Sequence, residues 1–194
     1  DDKTQEEFNL VFRAAATSAS ILILGESGTG KSAIAREIHD RSHLRDKPFV
    51  TVSCPSLSKE LLESALFGHL RGSFTGAIKD TWGKIHAADG GTLFLDEIGE
   101  MPMDLQPHFL RVLEDGAIFR LGENKARKVS FRLVAATNRD LRKDVAEGRF
   151  RMDLYYRIAV AAINVPPLRE RSEDIPAIAD YFLEKLAKQH GIPR

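Results

Sequence analysis

Short apolar runs alternate along the chain with stretches whose apolar residues recur at helical spacing. The runs are rich in branched and aromatic residues and predict buried strands at 21–24, 49–53, 92–95, 131–136 and 159–165. The periodic stretches predict helices at 6–16, 33–39, 58–66, 83–88, 104–114, 141–147 and 173–189. Strands that alternate with helices indicate a parallel sheet covered on both faces, with ligands at the carboxyl ends of the strands.

Several helix ends carry recognisable residues. Ser58 and Asp104 stand where a side chain caps the first turn of a helix, and Gly116 follows a last turn. Pro176 fits the first turn of the final helix. A short hairpin is expected across 117–122 and 127–129.

Composition limits the classes of protein to consider. The 194 residues suit one α/β domain, so we expect 1–194 to form a single unit. Lys plus Arg and Asp plus Glu are both 28, so bulk charge gives no support for binding to nucleic acid or a membrane. The single cysteine, Cys54, excludes an intrachain disulfide, suggests a reducing compartment and is expected to be a buried, inert thiol.

Other features exclude further classes. No apolar run approaches the length of a membrane span. The first residues lack a Met and a signal peptide, so we expect a piece of a longer protein. His39 and His43 are four apart but lack a third metal ligand, so we expect them at the surface near a helix end.

The segment between the first strand and the next helix has the pattern G-x-x-x-x-G-K-S, which is typical of phosphate-binding loops (P-loops). A strand, a glycine turn and a helix start point backbone N–H groups and the positive helix end at a polyphosphate. Lys31 supplies a charge for the β- and γ-phosphates, and the Ser32 hydroxyl is a candidate Mg²⁺ ligand. We therefore expect nucleotide binding at this P-loop. It comprises Gly25, Glu26, Ser27, Gly28, Thr29, Gly30, Lys31 and Ser32.

Two more polar pairs follow predicted strands. Asp96 and Glu97 come after Leu95, at the edge of the sheet expected to lie beside the phosphates. Asp96 suits a Mg²⁺ ligand and Glu97 suits a general base that polarises the attacking water; the alternative is a strand end with two solvated acids. Asn138 follows the fourth strand and suits a sensor of the γ-phosphate, or simply an ordinary turn.

A glycine-rich stretch between 67 and 82 differs from its surroundings. Glycines bracket Phe74 and Thr75, which suggests an apolar tip on a flexible stalk; the alternative is a core aromatic inside a turn. The central motif comprises Gly72, Ser73, Phe74, Thr75, Gly76 and Ala77.

The stretch 67–77 closely resembles the G-A-F-T-G-A loop of bacterial enhancer-binding proteins. These are AAA+ ATPases that activate RNA polymerase carrying sigma-54. The P-loop and the segments 90–99, 136–141 and 166–171 are similar to motifs of the same family, in the same order. The resemblance extends from about Ile21 to the C-terminus.

The resemblance implies a three-layer αβα P-loop NTPase with a five-stranded parallel sheet, whose C-terminal helical lid is missing from this chain. It implies ATP and Mg²⁺ as ligands, and hydrolysis coupled to remodelling of the sigma-54 holoenzyme. It implies a hexameric ring in the bacterial cytoplasm, with DNA bound only through a helix-turn-helix domain outside this chain and no membrane contact.

The resemblance also assigns residues. Phe74 and Thr75 would touch sigma-54 at the tip of a mobile loop. Arg151 and Arg157 match two arginines that reach a neighbouring subunit's γ-phosphate. The alternative for each is a surface ion pair, with Asp153 close by.

Three residues depart from the family pattern. Ser73 replaces the usual Ala of the loop motif, and Ser32 stands where a Glu is usual. Ser53 stands where an Asn often pairs with the catalytic Glu, so any switch between Ser53 and Glu97 would be weaker. Ser73 and Ser53 favour an alternative function: a nucleotide-dependent assembly or regulatory module that does not remodel sigma-54.

Overall fold

The computed structural model of the chain describes residues 2–191, apart from the side chains of residues 2–5, 7 and 8. The described helices are α1 (Asp2–Ala15), α2 (Lys31–Asp40), α3 (Lys59–Phe67), α4 (Lys84–Ala87), α5 (Gln106–Asp115), α6 (Leu141–Ala146), α7 (Met152–Ile158) and α8 (Ile175–His190). The described strands are β1 (Ile21–Leu24), β2 (Phe49–Ser53), β3 (Gly68–His69), β4 (Thr81–Trp82), β5 (Thr92–Asp96), β6 (Ala117–Ile118), β7 (Arg127–Lys128), β8 (Arg132–Thr137) and β9 (Ala161–Asn164).

Five strands form one parallel sheet in the order β2-β5-β8-β1-β9. The register places Leu24 opposite Thr137 and Ser53 opposite Asp96. All five strands therefore end at the same edge, and β8 ends between the P-loop strand and the strand that leads to the two acids. The predicted five-stranded parallel sheet is confirmed.

The two faces of the sheet pack against different helices. Ile21 and Ile23 of β1 belong to one buried apolar cluster, together with residues of α1 and α2. Leu22, between them, belongs to a second cluster with residues of α3, α5 and α7. Every residue of β8 is buried. This alternation gives the three αβα layers expected from the sequence.

One predicted helix cap is wrong. The helix expected from Asp104 begins at Gln106, with Leu105 at its N-cap and no side-chain cap. Asp104 instead forms an ion pair with Lys59. Pro107 occupies the first turn of α5. The N–H groups of a first turn have no acceptor within the helix, so proline loses no hydrogen bond there. The cap at Ser58 is confirmed, since its hydroxyl accepts from the Leu61 N–H at 3.4 Å.

The surface position expected for His39 is also wrong, although His43 is exposed. The His39 ring is buried, with Nδ1 2.8 Å from the Thr92 hydroxyl and the ring centroid 5.1 Å from that of Phe49. This burial lowers the pKa of His39 and favours the neutral ring. His39 therefore faces the sheet because α2 packs across the start of β5.

The glycine-rich stretch between α3 and β5 leaves the main layers and shares hydrogen bonds with the β6–β7 hairpin. β3 and β4 pair antiparallel, with Gly68 opposite Trp82. The Leu121 N–H donates to the Gly68 carbonyl, and the Leu70 N–H donates to the Leu121 carbonyl, both at 2.9 Å. The two insertions therefore form one joined projection, and the predicted hairpin is confirmed.

A compact side-chain cluster fixes the base of this projection. The guanidinium carbons of Arg120 and Arg127 lie 3.9 and 4.9 Å from the Trp82 ring centroid. Glu123 accepts hydrogen bonds from both arginines. The hydrogen bond from Arg120 is the main reason why the pKa of Glu123 falls to about 2.

Two helices complete the described chain. α7 was not expected from the sequence, and its Leu154 and Ile158 pack in the core beside Phe150. α8 was expected and carries Pro176 in its first turn, but none of its residues is buried. No helix in the described part of the chain is long and apolar enough to cross a membrane.

Candidate functional site

The P-loop closes around the ammonium group of Lys31. Gly28 and Gly30 have φ angles of 81° and 89°, a conformation that favours glycine, and α2 begins at the next residue. The Lys31 Nζ donates to the carbonyl oxygens of Gly25 at 2.8 Å and Glu26 at 2.7 Å. Its side chain is only 6% exposed. The conformation of the glycine-rich loop thus holds the Lys31 ammonium at its centre.

The P-loop also presents backbone donors that the protein does not use. The N–H groups of Ser27, Gly28 and Gly30 donate to no described residue. Thr29 is buried and its hydroxyl donates to the Glu26 carbonyl at 2.8 Å. Unpaired N–H groups at a helix start are the donors of an anion site. Ser32 lies in the first turn of α2 with its side chain exposed.

Glu97 turns sharply out of β5 beside the P-loop. It is the one non-glycine residue with positive φ in the described chain, at 53°. Its Oε2 accepts from the Asn138 backbone N–H at 3.1 Å, and its Oε1 lies 3.9 Å from the Lys31 Nζ. Strain of this kind collects at functional sites because the surrounding structure must maintain it.

Asp96 is half-buried at the end of β5. Its neighbour in the sheet is Ser53, whereas Glu97 contacts Asn138 and Lys31. The contact of Glu97 in this structure is therefore with the loop after β8 rather than with Ser53. Cys54, the next residue, is buried, and burial raises the pKa of its thiol to about 12, which keeps it protonated at neutral pH.

The segment after β8 is braced by an ion-pair network. Arg139 donates to both oxygens of Asp144, at 2.7 and 3.0 Å, and to Glu100 at 3.2 Å. Arg149 also donates to Asp144. The hydrogen bond from Arg139 is the main cause that lowers the pKa of the buried Asp144. Asn138 directly precedes this network; its side chain is exposed and its backbone N–H makes the contact with Glu97.

The P-loop and the segment after β8 line the same cavity, of about 520 Å³. Gly25 and Glu26 form one wall, and Asn138 and Arg142 form another. The Gly25 N–H also donates to the Thr137 carbonyl at 3.3 Å. Beside this cavity, the contacts of Glu97 bring Lys31, Glu97 and Asn138 together at the carboxyl ends of the strands, where the sequence placed them.

The structure does not bring Arg151 or Arg157 to this P-loop. Arg151 forms a two-pronged ion pair with Asp153, at 3.0 and 2.8 Å. Arg157 donates to the Leu113 carbonyl at 2.7 Å. Arg151 directly precedes α7 and Arg157 lies in its last turn, and both side chains are substantially exposed.

Gln106 positions this arginine segment and was not found from the sequence. Its side chain is fully buried; Oε1 accepts from the Arg151 N–H at 2.8 Å and Nε2 donates to the Met101 carbonyl at 3.0 Å. α5 and the start of α7 are therefore held in a fixed relation. No local pattern marks Gln106, since the Arg151 N–H that it binds lies 45 positions further along the chain.

The glycine-bracketed motif lies on the projection, and Phe74 is neither a core residue nor fully exposed. Its ring packs edge-on against His69, with centroids 5.0 Å apart, and His69 Nδ1 lies 2.7 Å from the Ser64 hydroxyl. Thr75 is exposed, while Ala77 is buried. The most exposed large apolar side chain of the described chain is Ile78, at 80%. The motif and the adjoining Ile78 therefore present a mixed polar and apolar surface, while the Phe74 ring packs against His69.

The comparison with known families decides the class of this chain. The model of the sigma-54 interaction domain matches residues 1–164. The chain belongs to this family. Its five-stranded parallel sheet, P-loop and glycine-bracketed loop are thus those of a sigma-54 interaction domain with an AAA+ P-loop NTPase fold.

The chain is similar to parts of named transcriptional regulators. The alginate biosynthesis transcriptional regulatory protein AlgB of Pseudomonas aeruginosa is 55% identical over 181 residues, which cover 93% of this chain and 40% of AlgB. The DNA-binding transcriptional regulator NtrC of Proteus hauseri is 48% identical over 188 residues, which cover 97% of this chain and 40% of NtrC. The chain therefore spans less than half the length of these relatives.

A solved structure supports the same fold. NtrX from Brucella abortus in complex with ADP superposes with a TM-score of 0.87 at 38% identity, covering 97% of this chain and 41% of NtrX. A second NtrX structure contains ATP, with a TM-score of 0.85. The P-loop NTPase domain of the sigma-54 transport activator from E. coli, at 20% identity and a TM-score of 0.58, shares the fold.

Proposed function

We propose that residues 1–194 are the ATP-hydrolysing domain of a sigma-54-dependent transcriptional activator in the bacterial cytoplasm. Hydrolysis drives remodelling of the RNA polymerase holoenzyme that carries sigma-54. The observation that carries the proposal is the meeting of Lys31, Glu97 and Asn138 at one edge of the sheet, apart from the projection that bears the glycine-bracketed motif.

ATP binds along the P-loop, residues 25–32. The unused N–H groups of Ser27, Gly28 and Gly30 donate to its phosphate oxygens, and the Lys31 ammonium exchanges the carbonyls of Gly25 and Glu26 for those oxygens. A cation that already lies at the centre of the loop needs only a local rearrangement to reach the β- and γ-phosphates.

Hydrolysis requires a water activated beside the γ-phosphate. Glu97 is the general base, since its carboxylate is fixed by the Asn138 N–H and lies near Lys31. The Asn138 side chain orients the water or senses the γ-phosphate. The hydrogen bond from the Asn138 backbone N–H to Glu97 makes the position of the base depend on the segment after β8. Changes at the phosphates would therefore reach Asn138 through Glu97.

Ser32 and Asp96 would hold Mg²⁺. They are a hydroxyl in the first turn of α2 and a half-buried carboxylate at the end of β5, and no cluster of three ligating side chains occurs among the described residues. This sparse donor set fits Mg²⁺, which binds few protein ligands together with phosphate oxygens and water. The ion would neutralise charge that develops on the phosphate oxygens.

Arg151 and Arg157 act on the ATP of a neighbouring subunit in a hexameric ring. Their exposure, and the absence of contact with the P-loop of the same described chain, support a role in trans. Their bonds to Asp153 and to the Leu113 carbonyl are both at the surface and can be exchanged for phosphate oxygens at low cost. Hydrolysis would then depend on assembly.

The motif from Gly72 to Ala77 contacts sigma-54. Support comes from its place on a projection outside the nucleotide site and from the exposure of Thr75 and of the adjoining Ile78. DNA is bound only through a helix-turn-helix domain of the longer protein. Release of Phe74 from His69 would add an aromatic side chain to the contact surface.

A second candidate is a nucleotide-dependent assembly module that does not remodel sigma-54, favoured by Ser73 and Ser53. In the structure the Ser73 hydroxyl donates to the Leu70 carbonyl at 2.7 Å, so this substitution is satisfied within the turn. The deciding experiment measures isomerisation of a sigma-54 promoter complex with ATP in the full-length protein. ATP-dependent isomerisation is expected; hydrolysis without isomerisation would establish the second candidate.

A further inference from the structure

The P-loop is held from outside by the segment that follows β9. Arg171 lies between the 3-10 turns Leu168–Glu170 and Ser172–Asp174, and its Nη2 donates to the Thr29 carbonyl at 2.6 Å. Two residues earlier, Arg169 binds both carboxylate oxygens of Glu26 at 2.8 Å. Neither arginine has a role in the site as assembled above. Both join the approach to α8 to the loop expected to hold the phosphates.

The two arginines differ in burial, and this decides which contact matters more. Arg169 and Glu26 are 65% and 57% exposed, so solvent screens their attraction and the pair contributes little. The Arg171 side chain is 14% exposed, and its donor is charged while its acceptor is a backbone carbonyl. Its Nε is buried without a hydrogen-bond partner among the described residues. Burying this unpaired donor costs free energy, which the other contacts of the guanidinium must offset.

The Arg171 bond fixes the orientation of one peptide group. In a trans, planar peptide the C=O of one residue and the N–H of the next point in opposite directions, and no cis peptide occurs in the described chain. A donor that holds the Thr29 carbonyl therefore turns the Gly30 N–H to the opposite side. That N–H donates to no described residue and stands directly before α2. Gly30 lacks a Cβ that would otherwise restrict rotation of this peptide group.

We infer that Arg171 is a positioning residue for the P-loop: it aims the Gly30 N–H at the polyphosphate without touching the nucleotide. The inference rests on the proposed ATP site. Asp174, whose Oδ2 lies 3.9 Å from Nη1, holds the guanidinium from the other side. Arg171 thus acts on binding of the phosphates, while the water-activating group Glu97 is untouched.

The test compares Arg171→Ala with Arg171→Lys and Arg169→Ala in the same chain. Binding of ATP and of inorganic tripolyphosphate, which has no base or ribose, is measured together with KM and kcat. Arg171→Ala is expected to weaken both ligands about 10- to 100-fold, the range of one charge-assisted hydrogen bond. KM rises by a similar factor, while kcat stays within about threefold.

The companion variants separate positioning from general damage. Arg171→Lys keeps a charged donor for one carbonyl and is expected within about fivefold of the parent. Arg169→Ala, which breaks an exposed pair on the same loop, is also expected within about fivefold. If Arg171→Ala unfolds, Arg171→Gln replaces it with the same expectation, because it removes the charge and its amide, two bonds shorter than the guanidinium, falls short of the Thr29 carbonyl while the aliphatic stem is kept.

Different failures have different meanings. A parent chain that shows no saturable ATP binding would remove the proposed function and this inference with it. A parent that binds ATP, with Arg171→Ala binding tripolyphosphate equally well, would overturn the positioning role alone. Loss in Arg171→Lys as large as in Arg171→Ala, or a fall in kcat without a change in KM, would also overturn it.

Discussion

The carboxylate of Glu97 accepts a hydrogen bond from the backbone N–H of Asn138, with 3.1 Å between the two heavy atoms. The bond links the end of β5 to the end of β8. It holds the only described non-glycine residue with positive φ and leaves the second carboxylate oxygen on the side of Lys31. The carboxylate of Glu97 is therefore held between the segment after β8 and the P-loop lysine.

Glu97→Gln is expected to bind ATP like the parent and to lose turnover by about 10²–10⁴-fold, because the amide oxygen still accepts from Asn138 but cannot take a proton. Equilibrium binding and single-turnover hydrolysis separate the two effects. Glu100→Gln is the control, since Arg139 keeps both bonds to Asp144. Parent-like turnover in Glu97→Gln would remove Glu97 as the base.

Lys31→Ala is expected to abolish measurable ATP binding, because no other side chain of the P-loop places a full positive charge on the phosphates. Titration with a fluorescent ATP analogue measures the loss. Lys143→Ala removes an exposed lysine of α6, whose Nζ lies 4.0 Å from Glu147, and serves as the matched control. Tight binding by Lys31→Ala would contradict the assignment of the P-loop.

Specific ATPase activity is expected to rise with protein concentration as the ring assembles. Arg151→Ala and Arg157→Ala should each lower turnover by up to about 10³–10⁵-fold, whereas Arg111→Ala on the exposed face of α5 should not. Mixing Arg151→Ala with Lys31→Ala should restore activity, because each supplies what the other lacks. No restoration, with activity independent of dilution, would rule out the role in trans.

Phe74→Ala and Thr75→Ala, in a chain extended to include the lid, are expected to keep ATPase activity within a few-fold and to lose the complex with sigma-54 formed with ADP and a metal fluoride. The Phe74–His69 contact is worth about 0.5–1.5 kcal/mol, whereas a core aromatic costs about 3–5 kcal/mol to remove. Thermal unfolding measures this difference. A large fall in the midpoint together with lost ATPase would contradict the contact-loop assignment.

Glu123→Gln is expected to lower the unfolding midpoint at neutral pH, since it removes the carboxylate shared by Arg120 and Arg127. The pKa of Glu123 is lowered from 4.5 to about 2, so its contribution is complete above 4.5 and is lost as pH falls towards 2. The parent and the variant should therefore converge in midpoint across this window. Glu114→Gln, at an exposed position of α5, is the control; a difference that persists at pH 2 would disprove the linkage.

The strands could be predicted because short runs of branched and aromatic residues favour buried strands. β1 and β2 have the predicted bounds. α7 was not predicted, although Phe150, Leu154 and Ile158 recur every four residues, as on one face of a helix. His39 was placed wrongly because the packing of α2 on β5, and not its own sequence, decides its burial.

The chemistry-bearing residues of the site were predictable from their order along the chain, but their contacts were not. Asn138 meets Glu97 through its backbone N–H, which every residue type offers. Gln106 and Arg171 contact backbone groups more than 40 positions away, and these contacts could not be predicted, although the segment 166–171 that includes Arg171 resembles a family motif.

α8 leaves the Arg171 segment with no residue buried, and this has a mechanical consequence. Its 16 residues form a rod about 24 Å long. A tilt of about 10° at Asp174 would carry the far end by about 4 Å. Because Arg171 lies three residues before Asp174, a change in the tilt of α8 would move the guanidinium that holds the Thr29 carbonyl.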